Sequence, residues 1–303
     1  MVGRAFPINS AVALTLALTG LAAAEPEGPR TPPLWTGFYV GVNSGYTRQS
    51  NSVATNANNI QFCNPLQCDG TIESVATSVA GASGSRSFNS DGFIGGGQIG
   101  YVYRVSNNLV AGIEADLQGV AGSSHAPTAT TFIGIPGFSP PVDPSNSNNF
   151  IGTSVSVRKS VDYLGTVRGR LGYLVKPTLL AYTTGGLAYG GVKSSTSVSQ
   201  NLTGETGGTL VTNWASAGSF AETRVGWTWG AGFEWMFGSN WSAKVEYLYY
   251  DLGKVTYSAG VLVDPFTPAG AQSPNPAFFT NAVQATTRFE GHIVRVGLSY
   301  YFI

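Results

Sequence analysis

The sequence is poor in charged residues, in cysteine and in long apolar runs, and each shortage excludes a class of protein. Charged residues make up 11% of the 303 residues, well below the roughly 25% of a typical soluble domain. The 16 basic and 16 acidic residues balance, so the chain lacks the basic surplus that nucleic-acid binding requires. No nucleic-acid partner is therefore expected.

One apolar run stands near the N-terminus, and no later run could span a membrane as a helix. Residues 1–24 contain Arg4, an apolar segment and three alanines before Glu25, which is the layout of a secretory signal peptide. Beyond it, no stretch approaches the roughly 20 apolar residues of a spanning helix. We predict a signal peptide at residues 1–24, a Pro-rich periplasmic lead-in at 25–34 and one exported domain at 35–303, which would cross a membrane only with strands.

Residues that could carry chemistry are few. Cys63 and Cys68 are separated by four residues, and export favours a disulfide between them over a metal site, since no histidine lies near. His125 lies in a Pro-rich stretch, and His292 opens the last predicted strand on its inward phase. Neither has the fixed nucleophile and orienting carboxylate of a catalytic triad. The sequence therefore predicts no catalytic residue, no metal and no cofactor.

Glycine, with 40 residues, and aromatic residues, at 12%, are abundant. They concentrate in two alternating runs between Thr223 and Asp251, which flank a short turn at 238–240. This pattern is typical of a β-hairpin. Because side chains alternate between the faces of a strand, one face of the hairpin is aromatic and the other is small or charged.

Other stretches alternate in the same way, and the chain contains eight predicted strands. Short turns alternate with long polar stretches at 48–90, 121–158, 191–222 and 252–287. This rhythm predicts an all-β, eight-stranded antiparallel transmembrane β-barrel with four long extracellular loops and short periplasmic turns. The rival is a soluble sandwich, which has no reason to place every long loop at one end. The facing of the strand from Thr178 to Gly190 is ambiguous.

Two sets of residues follow from the alternation. Inward charges need partners in so narrow a barrel, so they are predicted to form a salt-bridged network that fills the lumen, with a charged selectivity filter as the alternative. The network set is Arg104, Glu114, Asp116, Asp162, Arg168, Arg170, Glu234, Lys244, Glu246 and Arg295. The set predicted to face lipid or to form the interfacial girdle is Trp35, Trp227, Trp229, Phe233, Trp235, Trp241, Tyr247, Tyr249, Tyr300 and Phe302.

Several motifs together resemble the small outer-membrane immunogenic, porin-like β-barrel proteins of alphaproteobacteria. They are Trp-Thr-Gly-Phe-Tyr-Val-Gly at 35–41, Tyr-Thr-Thr-Gly-Gly-Leu-Ala-Tyr-Gly at 182–190, Gly-Ala-Gly-Phe-Glu-Trp at 230–235, Lys-Val-Glu-Tyr-Leu-Tyr-Tyr-Asp-Leu-Gly at 244–253 and Val-Arg-Val-Gly-Leu-Ser-Tyr at 294–300. The resemblance implies an outer-membrane barrel abundant at the cell surface. Its implied partners are outer-membrane lipid, lipopolysaccharide and the barrel-assembly machinery, which recognises a terminal aromatic residue; here Phe302 is penultimate.

The predicted function is structural and surface-exposed. The barrel would anchor the protein in the outer membrane, and its loops would be available to environmental or host ligands. Two alternatives stay open. The polar inward face suits a narrow porin-type channel for small solutes, and the loops could capture a haem-like ligand, with His125 and Tyr257 as candidates.

Overall fold

The computed structural model describes residues 35–62, 72–122, 128–134, 150–203, 212–263 and 279–302. Among these residues no helix is long and apolar enough to cross a membrane. The described elements are β1 (Gly37–Phe62), α1 (Ile72–Ala82), β2 (Gly84–Arg104), β3 (Leu109–Gly122), β4 (Ala129–Gly134), β5 (Phe150–Lys176), β6 (Leu179–Thr203), β7 (Thr212–Met236), β8 (Trp241–Val263) and β9 (Phe279–Phe302).

Eight of these strands close into a ring of antiparallel neighbours. β1 pairs with both β2 and β9, and the pairing of β3 with β5 completes the circle. The short β4 pairs with the first residues of β5 and continues the line of β3 along the same neighbour. The predicted eight-stranded antiparallel barrel is confirmed, and β4 is an addition to it.

The strands are much longer than the alternation predicted. The six longest have 23 to 27 residues, about twice the 9–11 residues that a tilted strand needs to cross a membrane. Much of the four stretches predicted as polar loops is therefore strand, and one of them also contains α1. That prediction was wrong because the alternation continues there with opposite polarity, among small residues that also suit loops.

β1 shows how the wall changes halfway along the strands. In the half next to the short turns, the turn-side half, most of its outward side chains are apolar, namely Phe38, Val40, Val42 and Tyr46, and its inward ones include Asn43 and Thr47. In the other half, the loop-side half, the outward side chains include Arg48, Ser52 and Asn56 and the inward ones include Val53 and Ala57. The turn-side half thus suits an apolar surrounding, whereas the loop-side half suits water.

The loop-side half is packed like the core of a soluble protein, and α1 lies in its mouth. Ala82 is fully buried in this apolar core. The side chain of Gln200 holds the helix: it accepts a hydrogen bond from the Ser78 hydroxyl (2.6 Å) and donates one to the Ser78 carbonyl (2.8 Å) and one to the Thr153 hydroxyl (2.9 Å). The helix thereby fills the mouth of the loop-side half, which would otherwise be open.

The strand whose facing was ambiguous is now oriented. In β6, Leu180, Tyr182 and Thr184 are buried and face inward, whereas Leu187 is exposed. Three short connections join strands at the turn end: residues 105–108, 177–178 and 237–240. The last of them joins β7 to β8, where Glu234 lies opposite Lys244.

Candidate functional site

A cluster of eight charged side chains fills the lumen of the turn-side half. The period-two alternation of β3, β5, β7, β8 and β9 turns each of these side chains inward. All of them are at most 5% exposed. The cluster contains four carboxylates and four cations, Glu114, Asp116, Glu234, Glu246, Arg168, Arg170, Lys244 and Arg295, so its net charge is zero.

Two arginines form the centre of this lumen cluster. Arg168 contacts Glu114 at 2.5 Å and Asp116 at 2.8 Å through one terminal nitrogen, and Glu246 at 3.0 Å through the other. Arg295 contacts Glu246 at 2.5 Å and Asp116 at 2.9 Å. Only a planar guanidinium presents so many donors in fixed directions, and the mutual bridging joins four strands, β3, β5, β8 and β9, into one network.

Glu114 receives donors from four directions. Besides Arg168, it accepts hydrogen bonds from the Lys244 ammonium (2.7 Å) and the Tyr39 hydroxyl (2.5 Å), and Arg295 lies 3.4 Å away. Tyr39 can lie flat against the wall because its neighbour is Gly100, where a Cβ would stand 2.4 Å from the tyrosine ring. Such multiple pairing is what a buried carboxylate requires in order to stay ionised.

An aromatic floor closes the lumen below the charges. Arg170 pairs with Glu234, and its guanidinium lies 3.6 Å from the centroid of the Tyr182 ring. Tyr301 donates to Glu234 at 2.8 Å. The floor consists of Trp35, Tyr39, Val102, Val110, Leu174, Leu180, Tyr182, Met236 and Tyr301. The lumen is therefore closed at the turn end and filled with paired charge above it.

Two residues of the predicted network lie outside it. Arg104 is the last residue of β2, below the floor, and its guanidinium donates to the carbonyls of Ser106 and Asn107 in the turn. Asp162 faces outward and pairs with Lys193 at 2.7 Å. A β-bulge between Val161 and Tyr163 shifts the phase of β5, and a strict alternation cannot foresee this shift.

The aromatic set predicted to face lipid mostly lies on the outer wall. Trp227, Trp229, Phe233, Trp235, Trp241, Tyr247 and Phe302 are 36 to 55% exposed, and Tyr249 and Tyr300 are partly exposed. Trp35 is the exception, with 0% exposure. It precedes β1, so the alternation does not apply to it; its indole nitrogen donates to the Pro177 carbonyl at 3.0 Å and its ring packs edge-on against Tyr301.

The structure corrects the predictions for Tyr257 and His292, and it does not test those for Cys63, Cys68 and His125. Cys63, Cys68 and His125 lie outside the described residues, so the predicted disulfide stays a prediction. Tyr257, a candidate loop ligand, is buried in β8 and bonds to the Ser194 and Thr196 hydroxyls, which removes it from any loop site. His292 faces outward rather than inward, with Nδ1 2.6 Å from the Tyr247 hydroxyl.

A buried lysine above the lumen cluster was missed. Lys159 is 2% exposed, donates to the Arg288 carbonyl and lies 4.4 Å from the centroid of the Phe289 ring. Burial lowers the pKa of its amine from 10.5 to about 7, against the opposing charge of Glu290. It directly follows the 121–158 stretch that was predicted as a loop; the alternating Val155 and Val157 just before it are the signal that would have continued the strand and placed Lys159 on its inward face.

The described residues offer no obvious chemistry beyond this packing. Within the ranges given above, no group of three His, Cys, Asp or Glu side chains is placed to hold a metal ion. The ionised groups of the lumen cluster are shielded from water and engaged with one another. The arrangement can stabilise a narrow barrel whose interior is filled by side chains.

A closed ring with an apolar outer band, a paired polar interior and short turns at one end defines an integral membrane β-barrel protein. The comparisons agree. A family model described as the outer membrane protein beta-barrel domain matches residues 11–302. The chain belongs to this outer-membrane β-barrel family, and it is an outer-membrane protein. Long loops of such barrels are extracellular, so the loop-side half faces outward from the cell.

One relative matches almost the whole chain, and another matches about a third of it. The 31 kDa outer-membrane immunogenic protein of Brucella melitensis is 32% identical over 305 aligned residues, which cover 97% of this chain and 98% of that protein. The 22 kDa outer membrane protein of Rhizobium leguminosarum bv. viciae is 33% identical over 115 residues, covering 36% of this chain and 45% of that protein. Both are outer-membrane proteins by name.

Solved structures are more distant. Ail of Yersinia pestis aligns with 86% of this chain and 99% of its own, at 14% identity and a TM-score of 0.27. OprG of Pseudomonas aeruginosa aligns with 89% of this chain and 99% of its own, at 7% identity and a TM-score of 0.36. OprG is an outer-membrane protein by name, and likenesses this weak say nothing about function.

Proposed function

We propose that the protein is a closed, non-conducting outer-membrane anchor, which carries a rigid barrel extension outside the membrane and displays its loops to the surroundings. The filled lumen carries this proposal. From the turn end outward, the aromatic floor, the lumen cluster, the apolar core of the loop-side half and α1 follow one another. Each layer removes space that a hydrated solute would need.

The rival function is a narrow channel for small solutes. It would need a continuous wet path, but the charges that would line such a path are paired. Ion pairs this buried also cost several kcal/mol to separate, so an ion has little reason to displace the carboxylates from their partners. The packing therefore favours a plug over a selectivity filter.

Planar-bilayer recording tests the proposal. Purified, folded full-length protein should insert without producing discrete conductance steps, while a general porin added to the same bilayer produces them. Insertion is verified separately by the heat-dependent gel mobility of the reconstituted protein. Reproducible unitary steps from the folded protein, absent from a heat-unfolded sample of the same preparation, would overturn the closed-anchor proposal.

The same packing supports a non-catalytic role. The carboxylates and cations of the lumen cluster are at most 5% exposed, and a general acid or base must reach its substrate directly or through one water. Display therefore depends on the outer wall and on the loops. The chain's possible environmental or host ligands would be met there.

A further inference from the structure

A groove of about 430 Å³ lies on the outer wall of the loop-side half. It crosses three neighbouring strands, β5, β6 and β7. Cross-strand neighbours line it in two rows: Arg158, Ser195 and Ser219 in one, and Ser156, Ser197 and Ala217 in the other. Its volume falls within the roughly 300–1,000 Å³ of small-ligand sites.

The lining of this serine groove is unusual for a wall that faces water. Exposed surfaces of stable domains are about a quarter to a third charged, whereas here small hydroxyl side chains surround one guanidinium. Arg158 forms no ion pair with any described residue. The nearest carboxylate along the strand is that of Asp162, which is engaged by Lys193 at 2.7 Å. The guanidinium is thus available for an anion.

The chemistry of the groove fits an acidic saccharide. Each serine hydroxyl can both donate and accept a hydrogen bond, which matches a ligand covered with hydroxyl groups. A guanidinium binds a carboxylate or a phosphate with two parallel hydrogen bonds. Rows of serines on strands about 4.8 Å apart offer contacts to successive hydroxyls of a flat sugar ring.

The height of the groove above the membrane boundary indicates which saccharide can reach it. Tyr163 is the last aromatic residue of β5 before Arg158, which lies five residues further along the strand. At about 3.3 Å per residue and a tilt of about 40°, Arg158 stands roughly 12 Å above the membrane boundary. That layer of an outer membrane holds the phosphorylated oligosaccharide of lipopolysaccharide.

We propose that the serine groove binds the phosphorylated, acidic oligosaccharide of neighbouring lipopolysaccharide, with Arg158 as its anion contact. The groove lies on the lateral wall, so the glycolipid docks from the side while its acyl chains stay in the membrane. This contact fixes the extension at a set height above the membrane. It goes beyond the closed-anchor function and does not depend on whether the lumen conducts.

Calorimetric titration of folded full-length protein in a non-ionic detergent tests the groove. The probe is delipidated, phosphorylated core oligosaccharide, which is soluble and cannot bind through acyl chains. Saturable binding should weaken about tenfold in R158Q, since one hydrogen-bonded charge contact is lost, and should vanish in S197W, where an indole fills the groove. Gel mobility before and after heating verifies that both variants fold.

Two controls make the result specific. R48Q removes an exposed arginine on β1, three strands from the β5 strand of Arg158 around the ring, and should leave the affinity within about twofold of wild type. Dephosphorylated oligosaccharide should bind the wild type about as weakly as the intact probe binds R158Q. The proposal is overturned if wild type shows no saturable binding or if R158Q binds like wild type. It is also overturned if S197W keeps its affinity for the probe and differs from wild type only in its oligomeric state.

Discussion

Arg168 shows why a buried charge can be retained in so small a barrel. Its guanidinium meets three carboxylates at 2.5 to 3.0 Å, and its Nε donates to Thr166 at 2.9 Å. Removing one member of such a network leaves the others buried without their partner. The cost of this loss exceeds the net contribution of the pair itself.

The substitution R168M should therefore destabilise the folded barrel by about 3–5 kcal/mol. Urea unfolding in lipid vesicles measures the change. K193M is the matched control, because it breaks the exposed pair with Asp162, and such a pair contributes about 0–1 kcal/mol. Equal effects of the two variants would show that the lumen cluster is not a linked network.

Lys159 provides a prediction about pH. The pKa of its buried amine is about 7 in the folded protein, against 10.5 ordinarily. Between these values the unfolded chain holds a proton that the folded chain lacks, so the free energy of unfolding rises with pH across this window. Below about pH 7 both states are protonated, and the folded protein bears the full cost of a buried ammonium.

Replacing this lysine with an apolar residue of similar length removes that cost. K159M should unfold less readily than wild type at pH 6 by about 1–3 kcal/mol, and its stability should rise less between pH 7 and 10. Unfolding in urea at several pH values measures both effects. If the free energy of unfolding of K159M rose with pH as steeply as that of wild type, groups other than Lys159 would cause the rise.

At the scale of elements, the sequence predicts the turn-side halves better than the loop-side halves. Large aromatic residues such as Trp229 and Phe233 alternate with glycine and charge, so period and facing are both clear. Beyond Tyr46, Tyr163 or Val225, most outward positions are serine, alanine, threonine or asparagine, with a few charged residues such as Arg48 and Arg158. Their propensities suit loops as well as strands, and only burial of the alternate residues decides between the two.

The docking of α1 depends on contacts between positions far apart in sequence, and no local pattern predicts it. Ser78 and Gln200 are 122 residues apart, and a short helix with this composition is marginal by itself. The pairing of the lumen charges was easier to predict from the sequence, because matched numbers of inward cations and anions indicate that they pair. The alternation did not predict which of them pair, nor the bulge at Asp162 or the end of β2 at Arg104.

The amide of Gln200 should control the helix. Q200L leaves the Ser78 carbonyl, the Ser78 hydroxyl and the Thr153 hydroxyl without this partner, at a cost of about 1–3 kcal/mol per buried group that stays unsatisfied. Hydrogen exchange in α1 should speed up by at least about tenfold, while the turn-side strands stay protected. S199A, an exposed neighbour on β6, is the control. Unchanged protection in Q200L would show that apolar packing alone holds the helix.

The described strands form one barrel with two halves, which differ in whether the apolar side chains face outward or inward. In the turn-side half, the wall is apolar outside and polar within, as a membrane requires. In the loop-side half, the same wall is polar outside and apolar within, as in a soluble protein. Eight strands suffice for both because side chains fill the interior at this size. The result is a membrane barrel whose strands continue beyond the membrane, which is the basis of the proposed closed anchor.

A cysteine scan along the outward face of β1 tests this two-part wall most directly. Single cysteines replace Val40, Val42, Ser52 or Asn56 in a chain whose Cys63 and Cys68 are serine, and the folded protein in vesicles carries a fluorescent label at each. Lipids bearing a quencher in the acyl chain should quench labels at 40 and 42, and a water-soluble quencher should act at 52 and 56. Acyl-chain quenching that continues through 52 and 56 would contradict the account.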